Sequence, residues 1–276
     1  RDVERSRGLG DVYKRQLYGI PSLNMTARDF FMTTNFAYSR KSDAWLYVLP
    51  KRVASPELSM FCSHLLGELE TRRNQMEDPY TFRGIREYTY GDTYGKINWK
   101  ATAKASKLMV NMYGYTSEQR VRILLNLETN IMVKTEYLQE MSIRMAGTIA
   151  EYFLQHKVSV ELVSNGIDCM TGACERVEAG MSMEHGETID KYLARIKENA
   201  GIDAFMQMVD TEIQQMEEPI TYVIISPYYK EDLLLKLDYM HKNNPELHMV
   251  VPCYDIQDKT GWRGYMQGVE VKWNEI

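Results

Sequence analysis

Hydrophobic spacing along this chain changes from short alternating segments to a regular succession of apolar runs and amphipathic stripes. From Leu17 to about Pro50 the pattern is short and β-like. There NFAYSRKSDAWLYVLP sets the polar group Arg40–Asp43 between two aromatic-rich segments, which predicts a hairpin turning at those residues. The period then switches in SPELSMFCSHLLGELETRRNQ. Leu58, Phe61, Cys62, Leu65, Leu66 and Leu69 recur at helical steps, so an amphipathic helix is predicted. Ser55 is placed to cap it, and Pro56 suits the first helical position, where no backbone N–H is needed. The polar run Thr71–Pro79 predicts a linker.

Downstream the alternation is regular. RVRILLNL (Arg120–Leu127) has a continuous apolar centre, as expected of a strand covered on both faces. A helix follows with Leu138, Met141, Met145, Ile149 and Phe153 on one face, then the strand VSVELVSNG ending in an Asn-Gly turn. A short strand or hairpin is expected near Cys169–Val177. Ile189, Tyr192, Leu193 and Ile196 mark one further helix, and Phe205, Val209, Ile213 and Met216 mark another. The strand TYVIIS, the helix KEDLLLKLDYMHKNN, the strand HMVVPCY and a closing strand VEVKW complete the pattern. Such alternation predicts an α/β fold with a mostly parallel sheet and helices on both faces, preceded by a small β-rich region. Binding sites on these sheets lie at the carboxyl ends of strands. That points to Asn126–Asn130, Ser164–Gly166 and Ser226–Tyr229.

Composition narrows the function classes. The chain has 276 residues, 44% hydrophobic and 26% charged, enough to bury a sizeable core. Its net charge of -5 gives no global reason to expect a nucleic-acid partner. Basicity is local: residues 82–107 carry six basic and two acidic side chains, a net +4. The four cysteines (Cys62, Cys169, Cys174, Cys253) form no CxxC pair and are expected as buried or half-buried thiols. The five histidines lack HExxH spacing, no GxSxG elbow exists, and no catalytic set can be assembled. GDTYGK at Gly91–Lys96 has the wrong glycine spacing for a phosphate loop, and Ile97 stands where Ser or Thr would be needed.

The first residues read differently. DVYKRQ at Asp11–Gln16 is what the transposon adaptor end AGATGTGTATAAGAGACAG encodes when read from its second base. Residues 1–16 are therefore expected to be a preparation scar, 17–80 a partial β-rich region with one helix, and 81–276 the main domain. On this expectation the native N-terminus, with any membrane anchor, is missing.

The densest chemistry lies at Gly84–Lys107. Gly91-Asp92 predicts a turn, with Asp92 capping a following helix. Lys96, Lys100 and Lys104 would line one face of that helix with Lys107 alongside, and Ile97, Ala101 and Leu108 another. Trp99 would sit between them with its ring buried. KLMVNMY then alternates as a strand.

GIREYTYGDTYGKINWKATAKASKLMVNMY, followed by RVRILLNLE, resembles the signature of domain-of-unknown-function family 58. The matching positions are Gly84, Arg86, Tyr88, Gly91, Asp92, Ile97, Trp99, Lys100 and Ala103, while Asn98 stands where the family usually has Asp. The resemblance runs from about Leu17 to the C-terminus. It implies a von Willebrand A-like, Rossmann-type α/β domain behind a β-rich portion that often follows two membrane helices. It also implies a non-catalytic interaction role beside a MoxR-type AAA+ ATPase or its client, on the cytoplasmic side of a bacterial inner membrane. Von Willebrand A domains hold Mg²⁺ through D-x-S-x-S after the first strand. Here NLETN puts Asn126, Glu128 and Asn130 at those positions, so the small hydroxyls are gone and no metal is expected. Two other readings stay open: a metal-dependent hydrolase or phosphate-handling enzyme built on Asp92 and Glu128, and nucleic-acid binding through Tyr88–Lys107. The second is not expected.

Overall fold

The structure, a computed structural model, describes residues 15–31, 33–75, 77–115, 119–128, 136–197, 203–215, 220–253 and 261–270. It begins with β1 (Gln16–Arg28) and β2 (Asn35–Val48), an antiparallel two-stranded hairpin. The turn falls within residues 29–34, where the Asp29 carboxylate accepts from the backbone amides of Thr33 at 2.7 Å and Thr34 at 3.0 Å. This corrects the turn expected at Arg40–Asp43. Those residues lie inside β2, with Lys41 opposite Ser22 and Arg40 opposite Leu23. Both faces of this hairpin meet solvent, so a polar run breaks nothing there. The last two residues of the expected scar, Arg15 and Gln16, take part in the fold. Gln16 opens β1, and the Arg15 guanidinium donates to the Leu193 and Ile196 carbonyls, both at 2.7 Å.

α1 (Pro56–Gln75) follows, with the Ser55 hydroxyl accepting from the Leu58 amide at 3.4 Å. The linker expected at Thr71–Pro79 does not exist: α1 runs through Gln75, and β3 (Glu77–Glu87) follows almost at once. A 3-10 turn at Tyr94–Lys96 and the short α2 (Trp99–Ala105) then lead to β4 (Met109–Tyr115), which pairs antiparallel with β3.

The remaining elements run in the expected order. They are β5 (Arg120–Leu125), α3 (Glu136–Gln155), β6 (Ser159–Ser164), β7 (Ile167–Asp168), β8 (Arg176–Gly180), α4 (Met183–Arg195) and β9 (Ile196–Lys197). After them come α5 (Ala204–Gln214), β10 (Ile220–Ile225), α6 (Glu231–Asn243), β11 (Leu247–Cys253) and β12 (Met266–Glu270). Six strands form one sheet in the order β12-β11-β10-β5-β6-β8. Every pair is parallel except β6 with the edge strand β8. Counted along the chain, that is the doubly wound order 3-2-1-4-5-6. The strand expected near Cys169–Val177 begins only at Arg176, and Ile196 stands past the end of α4. Met216, Asn130 and the end of VEVKW lie outside the described residues.

Alternate strand residues feed two cores. Val121, Ile123, Leu125, Val160, Leu162, Val223, Ile225, Val250 and Val269 pack with α1, α3 and α4. Leu124, Val163, Tyr222, Ile224, Met249 and Val251 pack with α5 and α6. Within the second layer lies a charge network that the apolar pattern concealed. Arg122 on β5 pairs with Glu161 of β6 at 2.7 Å and Glu212 of α5 at 2.5 Å, and Arg176 reaches both carboxylates. Burial works against the Arg122 charge, but the hydrogen bond to Glu161 and the charge of Glu212 outweigh it and hold its pKa above the usual arginine value.

The cysteine expectation holds for Cys62, which is buried, with its thiol pKa pushed up to about 12 by desolvation, and for the half-buried Cys253. Cys169 and Cys174 are exposed instead, because the turn that carries them leaves the edge of the sheet. No helix among the described residues is long and apolar enough to cross a membrane.

Candidate functional site

Two places carry the residues singled out in the sequence: the β3–β4 unit and the carboxyl end of the parallel sheet. In the first, the antiparallel pairing sets Arg86 opposite Val110 and Glu87 opposite Met109, so the intervening segment must close a loop. Gly91 takes φ +111°, a conformation side chains other than glycine rarely adopt. The turn delivers Asp92 to Arg86, whose guanidinium forms a two-pronged pair at 2.6 and 2.7 Å. The Thr89 amide donates to the same carboxylate at 2.8 Å. The Arg86 pair first, and the Thr89 amide second, hold the Asp92 carboxyl well below the usual range. Asp92 therefore locks a loop and does not cap the helix.

Asn98 does the capping. Its side-chain oxygen accepts from the Ala101 amide at 2.9 Å, and its amide donates to Asn111 on β4 at 2.7 Å. The helix is consequently shorter than expected. Lys96 belongs to the preceding 3-10 turn, and only Lys100 and Lys104 share a face of α2. Lys107 lies beyond the helix and pairs with Glu87 at 2.9 Å. Ile97 is buried, bridged to Val110, while Leu108 is exposed and outside α2. Trp99 also departs from expectation: its ring is 68% exposed, because a seven-residue helix has too little breadth to cover it. Tyr94 is 76% exposed and stacks on Tyr88, and Tyr90 stands fully in solvent. Ala103 is exposed and Gly84 half-buried, opposite Met112.

At the sheet end, Asn126 leaves β5 buried among three loops. Its amide donates to the Ser226 hydroxyl at 2.9 Å, while its oxygen accepts from the Glu128 backbone at 2.9 Å and from Asn165 at 3.3 Å. Ser226 in turn donates to the Tyr228 carbonyl at 2.8 Å. The Asn165 oxygen holds the Leu127 amide at 2.7 Å. Glu128 accepts from the Phe205 amide at 2.9 Å, at the start of α5, where Asp203 makes no side-chain cap. It thus serves as that helix's cap from outside. Burial, then the nearby charges of Asp203 and Asp232, raises its carboxyl pKa despite that bond. Tyr228 donates to Asp232, and burial followed by that carboxylate pushes its hydroxyl pKa up to about 12.

The expected loops do converge, but their polar atoms are spent on one another. Asn126 is tied to Ser226 by a hydrogen bond and Glu128 to α5, so these two side chains are held by protein partners where the resemblance would place Mg²⁺ ligands. Among the described residues, Asp92 and Glu128 share no hydrogen bond or partner. Gln139 was missed in the sequence, reading as one polar position among apolar helix residues. Its amide donates to the Leu127 and Glu128 carbonyls at 3.4 and 2.8 Å, fixing the loop from α3. The exposed aromatics around α2 were missed as well, since tyrosine spacing says nothing about which face meets water.

Comparison with known proteins leaves the chain on its own: no family model, no curated protein and no solved structure matches it.

Proposed function

We propose that this chain is a non-catalytic protein-interaction module, an adaptor that docks a MoxR-type AAA+ ATPase or its client on the cytoplasmic side of a bacterial inner membrane. The reading takes the likeness to domain-of-unknown-function family 58 as kinship and the doubly wound sheet as a von Willebrand A-like domain. The strand order supports it, as does the way Gly91 and Asp92 each take a specific structural task within the signature.

The observation that carries the proposal is the uncovered aromatic surface beside two lysines. Tyr90, Tyr94 and Trp99 stand in water within the same segment of chain as the exposed Lys100 and Lys104. Exposed aromatics grouped with basic side chains are what partner surfaces use, with the rings as anchors and the charge steering an acidic patch. Titration of the purified chain with a MoxR-type ATPase encoded beside its gene tests this. Tyr94→Ala with Trp99→Ala, and separately Lys100→Glu with Lys104→Glu, are expected to weaken binding about tenfold or more. Unchanged binding in both pairs would remove this face, and no binding by the unaltered chain would remove the partner.

A further inference from the structure

Outside both places just described, α1 and the segment entering β11 bring together Glu68, Glu246 and His248. One ligand atom from each lies within 4.8 Å of the others. We propose that these three side chains bind a divalent first-row transition ion, Zn²⁺ above all, and that the ion clamps α1 to the sheet.

The geometry fits the chemistry. His248 Nε2 is 3.5 Å from a Glu68 carboxylate oxygen, yet forms no hydrogen bond among the described residues and is closed off from solvent. A buried ring nitrogen facing a carboxylate without a shared proton is a costly arrangement unless a cation lies between them. In a tetrahedral zinc site with bonds of about 2.1 Å, neighbouring ligand atoms are about 3.4 Å apart. The His248–Glu68 separation is nearly that edge, and the Glu246 oxygen lies within 4.8 Å of both. His64 lies 3.4 Å from the other Glu68 oxygen, so the two faces of that carboxylate are already divided between two histidines. The Phe61 ring stands edge-on to His248 and limits how the imidazole can turn. Glu246 is positioned by its backbone amide, which donates to the Asn244 side chain at 3.0 Å. One imidazole and two carboxylates suit zinc and its neighbours, whereas Mg²⁺ and Ca²⁺ want six or more oxygens.

Arg72, one helical turn beyond Glu68, pairs with Glu246 and is the built-in competitor. It occupies one oxygen of that carboxylate, so the ion would take the other or displace the guanidinium. The three protein ligands leave a fourth position for water. The ion's role is structural: α1 precedes the sheet in the chain and is held on it by apolar packing, to which the ion would add a bond across the layer.

Calorimetric titration and thermal melts of the full chain, first stripped of metal with a chelator, test the site. Zn²⁺ is expected to bind one per chain and raise the melting temperature, while Mg²⁺ does neither. His248→Ala and the near-isosteric Glu68→Gln and Glu246→Gln should each weaken Zn²⁺ by about a hundredfold or more. Arg72→Gln should tighten it, by up to about fivefold. Glu68→Gln lies on the half-exposed side of α1 and keeps the test decisive if His248→Ala does not fold. Failure of the unaltered chain to take up Zn²⁺ would overturn the proposal. So would undiminished uptake by Glu68→Gln, which would place the ion elsewhere, for instance on the exposed Cys169 and Cys174.

Discussion

The parallel sheet and the two hairpins use similar residues to opposite ends. All six residues of β10 are buried, and β5 and β6 expose little more than their first residue. Along β1 and β2 almost every side chain meets water, including Leu23, Met25, Phe36, Trp45 and Leu46. In the sheet each large apolar side chain removed from water contributes about 1.5–3 kcal/mol. In the β1–β2 hairpin that contribution is mostly absent, and a two-stranded hairpin alone is marginal in water. The hairpins persist through their backbone ladders and a few anchors, such as buried Leu17 and the Arg15 bonds to the carbonyls ending α4. The sheet body therefore supplies stability, and the hairpins supply surface.

The sharpest way to break that contrast is at Arg122. Arg122→Ala leaves Glu161 and Glu212 buried with only Arg176, which reaches them from the edge. Stranding a buried charge this way costs about 3–5 kcal/mol. Urea denaturation should show a loss of that size. A loss below about 1 kcal/mol would mean water already reaches the network, so that the sheet body is no drier there than the hairpins.

A smaller effect separates local from tertiary support in the β3–β4 unit. Asn98→Ala removes the cap of α2 and the bond to Asn111, and is expected to cost about 1 kcal/mol. Asn98→Asp keeps the cap. It also meets an Asn111 amide able to turn its donor toward the new carboxylate, so about 0.5 kcal/mol or less should be lost. Equal losses in both variants would mean that the Asn111 contact, and not the cap, holds the helix.

How much of this was legible follows the same division. Val121–Leu125, Ile220–Ile225 and the Leu138-to-Phe153 stripe were readable because burial on a defined face forces a pattern onto the sequence. Where both faces are wet, nothing forces one. Hence Arg40–Asp43 read as a turn and lies in a strand. Thr71–Gln75 read as a linker from its polar composition alone and lies in a helix. At the β3–β4 unit the cap was assigned to the wrong residue: Asp92 locks the loop and Asn98 caps the helix. Both are good caps, and only the length of the 3-10 turn between them decides. Glu161 and Glu212 could not be matched to Arg122 from sequence, since each sits as a lone charge inside a stretch that reads as strand or helix.

The smallest predicted effect concerns Glu128, where sheet end and helix cap meet. A carboxyl whose folded pKa is raised favours the folded state most when protonated. Its contribution is fully present below the ordinary value of 4.5 and is lost as the pH rises through the higher folded value. Glu128→Gln keeps an oxygen for the Phe205 amide and removes the ionisable group. Across a pH series of denaturation curves, the unaltered chain should lose stability above pH 4.5 relative to this variant, and the two should differ least in acid. The opposite slope, with the variant losing ground as pH rises, would show that the negative charge itself stabilises the α5 terminus. Glu128 would then be held there by charge, as Asp92 is held by Arg86, and the sheet end would resemble the exposed loop more than the buried core.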